Sequence, residues 1–189
     1  MKKIITILLL TLISLKAQET LPFSSLNFKI SLQQNKNEVL LHQFWEPQSG
    51  LNFSVETPFY LGNIEAGISK IDFEGKLYIY PDFSSYFLFA GWSLNKQFFE
   101  FVSLKYGIRS GVFVMNFNDQ AASEYESTES ELSVSLIGEL EFPVYKNISG
   151  NLNTELLTIF TDKRIKLFIV GVGLSYKLET PKWLRKFFE

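Results

Sequence analysis

The sequence predicts an all-β chain: eight antiparallel strands closed into an up-and-down transmembrane β-barrel, with a short amphipathic helix at the C-terminus. Three observations predict it. Stretches of alternating apolar and polar residues recur along the chain, the period-two mark of strands with two unlike faces. The hydrophobic content is high, 46% with 16% aromatic and 19 Phe, yet after the first residues it is spread over every second position. The links between stretches alternate short and long, the habit of a membrane barrel with short inner turns and long outer loops. A strand can cross lipid only with its backbone paired on both edges, so one such strand implies a closed ring.

Lys2 and Lys3 precede the apolar run from Ile4 to Leu15, and Ala17 is a small residue before Gln18. Residues 1–17 therefore read as a secretory signal peptide, the run being shorter than the roughly twenty residues of a spanning helix. The barrel is assigned to residues 18–178 and an amphipathic tail to 179–189. With no cysteine in the chain, disulfides and thiolate metal sites are excluded, and so is a lipoprotein anchor. A formal net charge of −2 gives no basic surface for nucleic acid.

The first strand alternates Leu26, Phe28, Ile30 and Leu32 with Asn27, Lys29, Ser31 and Gln33. Leu51, Phe53 and Val55 against Asn52, Ser54 and Glu56 give the second. After a tight link around Pro58, Ile64, Ala66 and Ile68 against Glu65, Gly67 and Ser69 give the third. The fourth carries Tyr86, Leu88, Ala90 and Trp92, with Phe87, Phe89 and Gly91 opposite, so both its faces are aromatic. The fifth sets Leu104, Tyr106 and Ile108 against Ser103, Lys105, Gly107 and Arg109 and continues to about Phe117. The sixth sets Leu132, Val134, Leu136, Leu140 and Phe142 against Ser133, Ser135, Ile137, Glu139 and Glu141. Leu152, Thr154 and Leu156 against Asn151, Asn153 and Glu155 make the seventh. The eighth is the most legible: Phe168, Val170, Val172, Leu174, Tyr176 and Leu178 against Gly171, Gly173, Ser175 and Lys177.

With both termini on the inner side, the outer loops run over residues 35–49, 72–83, 118–129 and 161–163. Periodicity does not say which face points inward, and a secreted lipocalin-like barrel is the competing reading. The polar face decides. It is mostly Ser, Asn and Gly with charges spaced singly, which suits a narrow interior better than a water-facing wall. Aromatics gather near the strand ends, as at headgroup depth, and Trp45, Tyr86, Trp92 and Tyr176 are assigned to the membrane interface. In the tail, Thr180 reads as an N-cap and Pro181 as the first helical residue. Trp183 and Phe187 then fall on one face with Leu184 and Phe188, as in an interfacial foot.

The closing strand, Gly173-Leu174-Ser175-Tyr176-Lys177-Leu178, is similar to the signal read by the barrel-assembly machinery. On it, the chain resembles the small eight-stranded outer-membrane barrels of Gram-negative bacteria, with a particular likeness to uncharacterised barrels of the Bacteroidota type. The chain departs from the usual pattern by continuing past that strand. The resemblance implies a cell outer-membrane, porin-like location and insertion by the assembly machinery. It also implies contact with outer-membrane lipid and lipopolysaccharide, an extracellular ligand for the loops, and a monomer without cofactor.

If the parity holds, the lumen contains Glu56, Glu65, Glu139, Glu141 and Glu155 with Lys29, Lys105, Arg109 and Lys177. Eight strands leave an interior only as wide as its side chains, so these charges are expected to pair and plug it. Glu139 and Glu141 as a catalytic pair have no sugar-binding cleft to serve. Barrel enzymes that modify lipid A use a histidine, a serine and an acid at the outer rim. His42, the one histidine, with Asp82 and Ser84 or Ser85, is the set that could mimic them. No wider motif accompanies it, and the sequence favours a structural or surface-interaction role over an enzyme. The acidic stretch from Asp119 to Glu131 reads as a solvated loop, and no metal site is expected.

Overall fold

The computed structural model describes residues 21–37, 40–99, 101–118 and 127–181. Nine β-segments follow one another: β1 (Ser25–Asn35), β2 (Trp45–Pro47), β3 (Gly50–Phe59), β4 (Gly62–Gly75), β5 (Phe83–Phe99), β6 (Val102–Phe117), β7 (Thr128–Tyr145), β8 (Ile148–Ile159) and β9 (Ile165–Glu179). Eight of them are staves. The sheet runs β4-β3-β1-β9-β8-β7-β6-β5, and a further pairing of β4 with β5 closes it. All neighbours are antiparallel, and the first and last staves meet from Ser25 opposite Glu179 to Asn35 opposite Ile169.

The ninth segment departs from the expected plain loop between the first two staves. That link folds into a 3-10 turn, Leu40–Gln43, and the short β2, which pairs Trp45 with Gly75 and Pro47 with Phe73. Three of the links at the other end are tight. Tyr60 and Lys146 open two of them with φ near 44°, the left-handed region that a reversal this abrupt requires even of non-glycine residues. Pro143, which has no N–H to give a ladder, sits at a register shift between β7 and β8.

Side-chain parity is unbroken over most staves. Ile30, Leu32, Leu51, Phe53, Leu88, Trp92, Ile108, Leu136, Leu156 and Leu174 lie exposed on the outer wall, while Ser31, Ser54, Ser85, Ser133 and Ser135 are buried within. A water-soluble barrel would reverse this. A contiguous apolar wall around every stave far exceeds the few hundred Å² that soluble monomers leave uncovered. The orientation that periodicity left open is thus fixed: grease outside, filler inside. Thr180, expected as a helix N-cap, is buried, and its N–H donates to the Ser24 carbonyl at 3.1 Å. The helix expected beyond Pro181, with Trp183 and Phe187, lies outside the described residues, as do the expected signal peptide and residues 119–126 of the acidic loop.

Candidate functional site

The lumen is filled in two layers of different chemistry. In the half nearer the short turns, three cations and four carboxylates share one buried cluster. Lys29, on β1, donates to Glu139 on β7 at 2.6 Å and to Glu56 on β3 at 3.1 Å. Lys105, on β6, contacts Glu56 directly and lies 3.6 Å from both Glu65 and Glu139. Arg109 grips Glu65 with two donors, Nη2 at 2.8 Å and Nε at 3.2 Å, and reaches Glu155 on β8 with Nη1 at 3.0 Å. Ser54 adds a hydroxyl donor to Glu65 at 2.7 Å. Six staves therefore meet in one network, and each carboxylate gains a charged partner from another stave, which is the condition for burying such groups.

Backbone spacing makes room for the large groups. Gly91 stands opposite Arg109 across the β5–β6 ladder, where a Cβ would lie 2.9 Å from the arginine Cγ. Gly67 likewise faces Phe89, whose ring would lie 2.7 Å from such a Cβ. Arg109 also joins the two layers, its guanidinium lying 4.3 Å over the Phe89 ring, a cation–π contact in a desolvated site.

Beyond Phe89, toward the long loops, the interior turns apolar. Ile71, Phe73, Phe83, Phe87, Phe113, Met115, Leu157, Ile159, Leu167 and Ile169 form a single buried core. Phe73 and Phe83 stack at 4.6 Å. Leu41 and Trp45, from the first outer link, pack on this core as a roof. Trp45 touches Phe44, Tyr80 and Phe83, and its indole N–H donates to the Pro81 carbonyl at 2.8 Å. Trp45, expected at the membrane interface, thus packs over the core at the mouth of the barrel. Tyr86, Trp92 and Tyr176 do project from the outer wall, on outward positions of β5 and β9.

Two members of the expected lumen set stand apart. Glu141 is half-buried and accepts from Ser175 at 3.0 Å, and Lys177 is exposed at the inner mouth. The expected catalytic trio is not assembled. His42 contacts the Asn35 amide at 2.7 Å, Asp82 accepts from the Gly75 N–H at 2.8 Å, and Ser84 donates to Asp72 at 2.6 Å on the outer wall. Each group engages something other than the two it would need. Asp72 lies past Ile68, the last apolar outward residue of β4. Its carboxyl is held below the usual range by the Ser84 hydroxyl and by Lys70 at 3.0 Å. Among the described residues no cluster of His, Asp or Glu is arranged to hold a metal ion.

The closed antiparallel ring matches known structures. The fold is that of the small outer-membrane β-barrels. Neisserial surface protein A superposes with a TM-score of 0.58 at 7% identity over 82% of this chain and 96% of its own. OprG of Pseudomonas aeruginosa superposes with 0.51 at 9% identity over 84% and 98%. Ail of Yersinia pestis, in complex with the heparin analogue sucrose octasulfate, gives 0.50 at 18% identity over 82% and 95%. No protein-family model matches the chain, and no curated protein does.

Proposed function

We propose that the chain is a monomeric integral protein of the outer membrane, of the Bacteroidota-type small-barrel kind, exported on residues 1–17 and inserted by the barrel-assembly machinery. Its work is structural and adhesive: the lumen is a plug, and the outer rim and loops meet lipopolysaccharide or an extracellular ligand. The observation that carries this is the double filling of the lumen. A core of aromatic and aliphatic side chains lies under a tryptophan roof, and the buried ion cluster occupies the half beneath it. The separation of His42, Asp82 and Ser84 supports a non-enzymatic role. Ail, which shares the fold, was solved with a heparin analogue, and we extend to this chain the same kind of task, ligand capture by the exposed part of the barrel.

Replacing residues 76–82 and 118–127 with short Gly-Ser turns tests it. The exchanged protein is expected to fractionate with outer membranes and keep its heat-modifiable gel migration while losing surface binding. Unchanged binding and envelope phenotypes would contradict the role given to the loops.

A further inference from the structure

The outer rim is not evenly charged. Over the seam where β8, β9 and β1 meet, Lys36, Lys163, Arg164 and Lys166 are all exposed. The fold brings them together from distant parts of the sequence: the Lys36 N–H donates to Phe168 at 2.8 Å, and the Asn37 amide donates to the Lys166 carbonyl at 2.8 Å. None of the four makes an ion pair among the described residues; Lys36 Nζ binds the Gln34 side chain and Arg164 lies over the Phe160 ring. Asp162 is the one described acid in that patch. Across the mouth stand Glu46, Glu74, Asp82 and Glu129, all exposed, with Lys76, and Lys70 is tied to Asp72.

Directly below the basic seam, the lipid-facing wall is indented. A furrow of about 620 Å³ crosses it, with Gly138 and Thr154 as its floor and Leu32, Leu140, Leu152 and Val172 along one side. It exists because the two smallest outward residues of one register line, Gly138 and Thr154, stand opposite each other. Gly138 pairs with Thr154, Thr154 with Val170, and Val170 with Gln34. Staves of such barrels are tilted by roughly 35–45°, so this line of paired positions climbs the wall and ends at Gln34, beside the ammonium of Lys36.

We infer that the β8–β9–β1 seam binds one phosphorylated glycolipid of the outer leaflet, its acyl chain laid in the Gly138–Thr154 furrow and its phosphates held by Lys36, Arg164 and Lys166. Charge complementarity selects the occupant. Unpaired cations at headgroup depth attract anionic lipid, and they stand on the long-loop side, which faces the outer leaflet. An apolar partner would leave them unmatched, and a second copy docked through the same seam would set cation against cation. The inference rests on the outer-membrane placement proposed above.

The test uses the full mature chain folded in detergent micelles, with lipid binding followed by native mass spectrometry. The probes are bis-phosphorylated lipid A, the same lipid A after phosphatase treatment, and phosphatidylglycerol. One copy of intact lipid A is expected to bind more tightly than either of the others. The triple variant Lys36→Gln, Arg164→Gln, Lys166→Gln is expected to weaken it by about a hundredfold, at roughly a factor of five per cation. Gly138→Leu fills the furrow, since a Cβ there meets only the Thr154 hydroxyl at 3.1 Å. It should weaken intact and dephosphorylated lipid A alike. Wild-type affinity in the triple variant, or equal retention of phosphatidylglycerol, would overturn the inference. Heat-modifiable migration, measured on each variant, separates this failure from failure of the barrel reading itself.

Discussion

The two halves of the lumen close the same ring by opposite means. The outer half is filled like any protein core, with rings and aliphatic chains in contact and no charge to satisfy. The inner half is filled with ions, each stable there only because others stand within a few ångströms. The apolar half is robust to polar surroundings and sensitive to lost volume. The ionic half is sensitive to lost partners, because a charge left alone in a dry interior has nowhere to go. Arg109 belongs to both, gripping two carboxylates below and lying over Phe89 above.

Removing Arg109 should have the largest effect. Arg109→Met leaves Glu65 and Glu155 without their guanidinium and is expected to cost about 3–5 kcal/mol, read from urea unfolding in lipid vesicles. Adding Glu65→Gln and Glu155→Gln should return much of that loss. If the single variant is as stable as wild type, the network is ornamental and the contrast between the halves fails. Phe87→Ala, in the apolar half, should cost about 3–4 kcal/mol through the cavity it opens. No second substitution in the ionic cluster should rescue it, and a rescue there would mean the layers are not separate.

Trp45→Ala should cost less, about 2 kcal/mol, since the ring is half-buried and one hydrogen bond to Pro81 is lost. Its signature is local: residues 36–49 should become open to protease in intact cells while the staves stay protected. Ser84→Ala, on the rim, should change stability by less than about 0.5 kcal/mol, because Asp72 is exposed to solvent. Asp72 has a folded pKa below its unfolded one. Its contribution is therefore complete above the unfolded pKa, near 3.8, and is lost as pH falls through the folded value. Wild type and Ser84→Ala should thus converge in strongly acidic buffer, as followed by pH-dependent unfolding.

The ionic half was legible in the sequence and the apolar half was not, for one reason. Single charges such as Lys29, Glu65 and Arg109, set among alternating apolar residues, have one place to go in a lipid-facing strand. Phe87 and Phe89 alternate with Leu88 and Ala90, and Leu157 and Ile159 extend a stave past Leu156. Where both faces are apolar, the period-two contrast disappears. An aromatic near a strand end suits a headgroup belt and a mouth roof equally, and the packing of Trp45 shows only through its pairing with Gly75 and its contact with Phe83. Lys36 and Lys166 are invisible as a pair in sequence, since ring closure between the first and last staves is what joins them.

Single-channel recording of the full mature protein in planar bilayers tests the central claim, two plugs in one lumen, most directly. The structure predicts a silent membrane at every voltage that the bilayer withstands, after insertion is confirmed by heat-modifiable migration. Discrete, reproducible conductance steps from the wild-type protein would show a continuous wet path and contradict it.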